Sequence, residues 1–103
     1  MKINIDEKVI AGEIEIGDDK FEYKAYPPSL EISIMFMEAQ DEEDTKKLLK
    51  AMDKYYEECI EFDGIFGKKT KEKVRKILER SGKLIDFVNE VINEVGKQNE
   101  PKD

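Results

Sequence analysis

The sequence predicts an α+β fold: an N-terminal β-hairpin or small antiparallel meander, followed by a bundle of three to four helices. Three observations carry this reading. Ile14, Ile16, Phe21, Tyr23 and Ala25 alternate with charged residues on either side of Gly17-Asp18-Asp19-Lys20, which has the residue types of a hairpin turn. From Leu48 onward, apolar residues recur at the three-and-four spacing of one helix face. Gly64, Gly67 and Ser81-Gly82 then divide that helical pattern into segments. At 103 residues there is room for one domain, read as 1–96, with strands in 1–26 and helices in 29–96; the polar stretch 97–103 is expected to be a disordered tail.

In chain order, Ile3 and Ile5 alternate with Lys2 and Asn4 as a first short strand, and Asp6 to Gly12 reads as a looser connection. Pro27-Pro28 ends the sheet, since neither can donate to a ladder. Ser29 stands where an N-cap would, and Leu30, Ile34 and Met37 fall on one helical stripe with Met35, Phe36 and Ala39 beside it. Leu30, Ile32, Ile34 and Phe36 also alternate as a strand would, but Met35, Met37, Glu38, Ala39 and Gln40 favour a helix.

The longest expected helix follows the acidic run Asp41 to Asp44, whose charge suits a helix N-terminus. Leu48, Leu49, Met52, Tyr55, Tyr56, Cys59, Ile60 and Phe62 share its inner face, giving a central helix of about 30 Å at the usual rise per residue. Gly64 is placed to terminate it in a left-handed conformation, and Gly67 allows a second bend. Between them Ile65 and Phe66 are either tucked beneath the helices as a plug, the favoured reading, or displayed. Thr70 then caps a helix running to about Arg80, with Val74, Ile77 and Leu78 inward. Leu84, Ile85, Val88, Val91, Ile92 and Val95, with Phe87 alongside, form a last amphipathic helix ending at Gly96.

Composition removes several function classes. The chain has no His, the commonest general base and metal ligand, and its contiguous acids lack the spacing and bend glycine of a calcium loop. No phosphate-cradling glycine loop occurs, and Cys59 has no histidine to activate it, so no enzyme activity, cofactor or metal is expected. The single cysteine suits a reducing setting and a small core residue, and no stretch is apolar enough to span a membrane, which together suggest the cytoplasm. Net charge is −7, which disfavours nucleic acid or an anionic bilayer as partner. Lys68 to Lys83 runs against that balance, with eight Lys or Arg against two Glu, and reads as a solvated face ahead of a docking patch for an acidic partner.

Residues 62 to 80, FDGIFGKKTKEKVRKILER, resemble the C-terminal part of the small tail assembly chaperones of long-tailed phages and prophages of Gram-positive bacteria. Ile65-Phe66-Gly67 with Thr70, Glu72, Lys73 and Val74 carries the match to that family's turn-into-helix motif, and Ile14 to Tyr23 matches the flavour of its N-terminal hairpin. The segment Glu79-Arg80-Ser81-Gly82 departs from the Gly-rich or acidic turn such proteins often have there, and the basic run is heavier than theirs. The resemblance implies a non-enzymatic protein that keeps the tape measure protein soluble and helps recruit tail tube subunits. It also implies an apolar groove between the central and last helices, with Phe62, Ile65, Phe66, Phe87 and Val91 as partner-binding residues. Two other readings stand beside it: a small homodimeric antitoxin-like or transcription-associated module paired through the last helix, and a helix-turn-helix-like nucleic-acid binder using Lys68 to Lys83.

Overall fold

The computed structural model describes residues 2 and 9–98. Strands β1 (Ile10–Ile16) and β2 (Asp19–Ala25) form the expected antiparallel hairpin, with Ile16 opposite Asp19 and Ile10 opposite Ala25. Gly17 takes φ +62° at the first of the two turn residues, a conformation that costs glycine little. Along β1 the even-numbered residues are half-buried while Ala11, Glu13 and Glu15 are exposed, as a sheet covered on one face requires. The first short run, Ile3 and Ile5, lies outside the described residues, as do 99–103 of the expected tail.

Helix α1 (Leu30–Asp41) settles the ambiguity over Leu30 to Met37 in favour of helix: the Ser29 side chain accepts from the Ile32 N–H at 3.3 Å. Its orientation corrects the expected stripe. Ile32 and Ala39 are buried and Met35 and Phe36 half-buried, whereas Leu30, Ile34 and Met37 point to solvent. Both stripes are apolar at helical spacing, so periodicity could not choose between them; packing on α2 did. The acidic run spans a turn: Asp41 ends α1, Glu43 has φ +50°, and the Asp44 carboxylate caps α2 (Thr45–Cys59) by accepting from the Lys46 and Lys47 N–H groups at 3.0 and 3.3 Å.

Helix α2 is shorter than the sequence pattern suggests. It ends at Cys59, about 22 Å from its start, and Ile60–Phe62 forms a third strand, β3, so the segment 29–96 is not purely helical. Ile60 and Phe62 fit a helical face with Tyr56 and Cys59, but they also alternate around an outward Glu61, and β2 offers an edge. There Ala25 lies opposite Ile60, Lys24 opposite Glu61 and Tyr23 opposite Phe62, giving the order β1-β2-β3 and an opposite-charge pair across the ladder. Gly64, φ +94°, therefore follows a strand and does not terminate the helix.

Helix α3 (Gly67–Arg80) starts a turn earlier than expected, with Phe66 at the N-cap position and Thr70 inside the helix. A side chain at Gly67 would place its Cβ 2.4 Å from the Phe62 carbonyl oxygen, so glycine is needed there for close approach. After Gly82, φ +71°, helix α4 (Leu84–Gln98) continues through Gly96, which the sequence had suggested as its end.

The core lies where the helices meet the inner face of the sheet, around Tyr23, Ile32, Tyr55, Tyr56, Ile60, Val74 and Val88. Its two largest fully buried residues are placed by their hydroxyls: Tyr55 donates to the Tyr26 carbonyl at 2.8 Å and Tyr56 to the Lys71 carbonyl at 2.7 Å, which spares both from carrying an unpaired polar group inside. Cys59 is buried, as a small core residue would be. Among the described residues no helix is long and apolar enough to cross a membrane.

Candidate functional site

The five residues assigned to partner binding separate into three environments. Phe62 is a core residue, 7 % exposed, packed against Tyr23 and Tyr56 with ring centroids 5.9 and 6.5 Å apart. Phe87 is half-buried and meets the same two tyrosines edge-on at 5.4 and 6.4 Å, while Val91 is buried beside it on α4. Ile65 and Phe66 stand out in solvent at 93 % and 64 % exposure. The favoured reading of these two as a buried plug is thus overturned. Gly64 and Gly67 bracket them in a bend too tight to fold them back under the helices, since Gly67 is already against the Phe62 carbonyl.

Among the described residues, the concavity of about 420 Å³ that touches both α2 and α4 is lined by Leu49, Lys50, Asp53, Leu84 and Ile85 together with α3, and by none of the five. Val88, Val91 and Val95 close the seam between α2 and α4 from one side and Met52, Tyr55 and Tyr56 from the other. Instead the five residues are divided between two surface concavities. Phe87 and Val91 line one of about 690 Å³ between α4 and β1, together with Tyr23, Glu90 and Glu94. Burial, and then the carboxylates of Glu90 and Glu94, push the Tyr23 hydroxyl above its ordinary pKa.

Phe62, Ile65 and Phe66 line the other, of about 650 Å³, under the bend. Its floor is apolar, with Ile60 beside these three. One wall is acidic, from Glu57 and Glu58 on α2 and Glu61 on β3, and the other is basic, from Lys68, Lys69 and Lys71 on α3. Such a site can receive an apolar side chain of a polypeptide and accommodate either sign of charge next to it; it offers no nucleophile paired with a base. Among the described residues no group of three or more His, Cys, Asp or Glu could hold a metal ion.

The basic wall is partly occupied by internal contacts. The Lys71 ammonium donates to the Glu57 carbonyl at 2.5 Å and lies 5.7 Å from the centre of the Tyr56 ring; burial lowers its pKa, opposed by the charges of Glu57 and Glu61. Arg75 pairs with Asp53, with Glu57 at 3.7 Å and with Glu79 at 3.3 Å, and Lys73 sits over the Phe21 ring at 5.7 Å. Three of the eight basic residues therefore fasten α3 to α2 and to the hairpin, and Lys68 and Lys69 are the exposed cations that line this concavity.

Two parts of the surface escaped the sequence reading. The acidic wall comes from Glu57, Glu58 and Glu61, to which the sequence pattern assigns no role, and only the turn from α2 into β3 brings them to one side of the bend. The outward stripe of α1 was assigned to the core. The two regions are linked by side chains, because Lys54 bonds Glu31 of α1 and also reaches Glu58 at 3.8 Å. No family model, curated protein or solved structure matches this chain.

Proposed function

We propose that this chain is a non-catalytic polypeptide-binding protein and that the bend at Ile65 and Phe66 is where it grips its client. The observation that carries the reading is the exposure of these adjacent large apolar residues, 93 % for Ile65 and 64 % for Phe66, in the lining of a concavity shared with Ile60 and Phe62. Displaying them costs apolar hydration that burial would recover, at about 1.5 to 3 kcal/mol for each side chain. The glycines on either side hold them in that position.

The resemblance of residues 62 to 80 to small tail assembly chaperones names the client class: the tape measure protein, whose amphipathic helices need cover until tail tube subunits replace the chaperone. The site proposed for this is the bend, rather than a groove between α2 and α4. A dimer paired through the last helix has less in its favour, because Val88, Val91 and Val95 of α4 are already buried within one chain and Leu84, Ile85, Phe87 and Ile92 are half-buried. The test is co-expression with the tape measure protein of the same genome. Wild type is expected to raise the soluble yield of that protein, and the double variant Ile65→Ser/Phe66→Ser to lose most of the gain. Equal insolubility with and without the wild-type chain would remove the proposal.

A further inference from the structure

Helix α1 is apolar on two faces. Seven of its twelve residues are apolar and it contains no Lys or Arg. One face, built on Ile32 and Ala39, packs inward. The other presents Leu30, Ile34 and Met37, exposed at 77 %, 44 % and 62 %. Their spacing puts the three within about 60° of arc, in a ridge about 10 Å long. Scattered surface apolar residues need no explanation, but a second apolar stripe opposite the buried one is the pattern of an element covered on both sides.

The charges beside the ridge indicate what covers it. Glu38 and Glu31, the latter paired with Lys54 of α2, run along one flank, and Asp41, Glu43 and Glu42, the last paired with Lys47, cluster at its C-terminal end, where the helix dipole is also negative. The other flank carries uncharged Ser33 and Gln40. We propose that this ridge is a docking site for an amphipathic helix of another polypeptide, one whose apolar stripe is bordered by Lys or Arg. A second copy of this chain is a poor occupant: it brings the same helix without a basic residue and another −7 of net charge. The basic border pairs with Glu38 and competes with Lys54 for Glu31, which fixes which way round the helix lies, while Met37, with its flexible thioether, adapts to the stripe it meets. This inference stands on α1 alone and does not rest on the reading of the bend.

The probe is a synthetic 18-residue amphipathic peptide with Leu at helical spacing bordered by Lys, compared with the same peptide carrying Glu at the border. Each is titrated by fluorescence anisotropy into full-length Ile65→Ser/Phe66→Ser, which lacks the apolar pair of the bend, at low and at physiological salt. The Lys peptide is expected to bind, more weakly as salt rises, and the Glu peptide not to. Ile34→Glu should weaken binding about tenfold or more, a change of about 1.4 kcal/mol. Glu38→Lys should weaken it as well, and Glu72→Lys on α3, with the same change in net charge, should leave it unchanged. Far-UV circular dichroism of each variant checks that the surface substitutions preserve the fold. Because the apolar pair of the bend is absent throughout, binding of the Lys peptide separates this site from the bend. The proposal is overturned if neither peptide binds, if both bind alike, or if Ile34→Glu has no effect. It is overturned equally if sedimentation shows a wild-type dimer that Ile34→Glu converts to monomer, since the occupant would then be a second copy.

Discussion

The Tyr56 hydroxyl donates to the Lys71 carbonyl at 2.7 Å, joining the last turn of α2 to the second turn of α3. Everything between them, β3 and the bend that displays Ile65 and Phe66, is held inside a loop closed by that contact. Tyr56→Phe keeps the ring and loses the hydrogen bond, so it should cost about 1 kcal/mol. Tyr56→Ala, which also empties a fully buried site, should cost about 3 to 5 kcal/mol. Urea denaturation of the two variants separates the contributions, and hydrogen exchange in 60–66 should quicken in Tyr56→Phe.

Alkaline pH should loosen the same region. Burial pushes the Tyr55 and Tyr56 hydroxyls well above their ordinary value of 10.0, so the unfolded chain releases these protons at a pH where the folded chain still holds them. Their contribution to stability is complete below pH 10.0 and is lost as pH climbs toward the folded values. Lys71 acts in the opposite sense: its lowered pKa is a cost at neutral pH that disappears as pH rises through the folded value toward 10.5. The urea midpoint of wild type should fall above about pH 10.5 once the lysine term is spent, and less steeply in Tyr55→Phe and Tyr56→Phe. A midpoint independent of pH up to 11.5 in wild type would contradict this.

Gly67 offers a test of the bend itself. A Cβ there meets the Phe62 carbonyl oxygen at 2.4 Å, and the atom in the way is backbone, which cannot swing aside. Gly67→Ala should therefore lower stability by about 1 to 3 kcal/mol, even though alanine is the better helix former at the start of α3. Thermal unfolding measures the sign: a rise in Tm would mean that the close approach is absent in solution.

The orientation of α1 can be read from a pair of neighbours. Ile32→Ala removes a fully buried side chain and should cost about 2 to 5 kcal/mol. Ile34→Ala trims a largely exposed one and should stay within about 0.5 kcal/mol of wild type. If the two costs were reversed, the helix would be packed on the face the sequence had suggested.

Local chemistry alone made the hairpin legible, because a two-residue turn with glycine at its left-handed position and strict alternation on both sides admit one register. The N-cap at Ser29 and the break at Ser81-Gly82 were legible for the same reason: each depends on a few neighbouring residues. Exposure of Ile65 and Phe66 was only half legible, as their bracketing glycines announce a bend but not the direction in which its side chains face. What tertiary structure decided lies where one pattern has two solutions of similar local energy. Cys59 to Phe62 satisfies both a helix period and a strand period, and the free edge of β2, with Lys24 waiting opposite Glu61, drew Ile60–Phe62 out of the helix. Leu30 to Ala39 carries two apolar stripes, and only the fit against α2 selected Ile32 and Ala39 for the interior. Periodicity reports that a face is apolar; which of two such faces is buried is a property of the neighbour it packs on, and a neighbour distant in sequence leaves no mark in the local pattern.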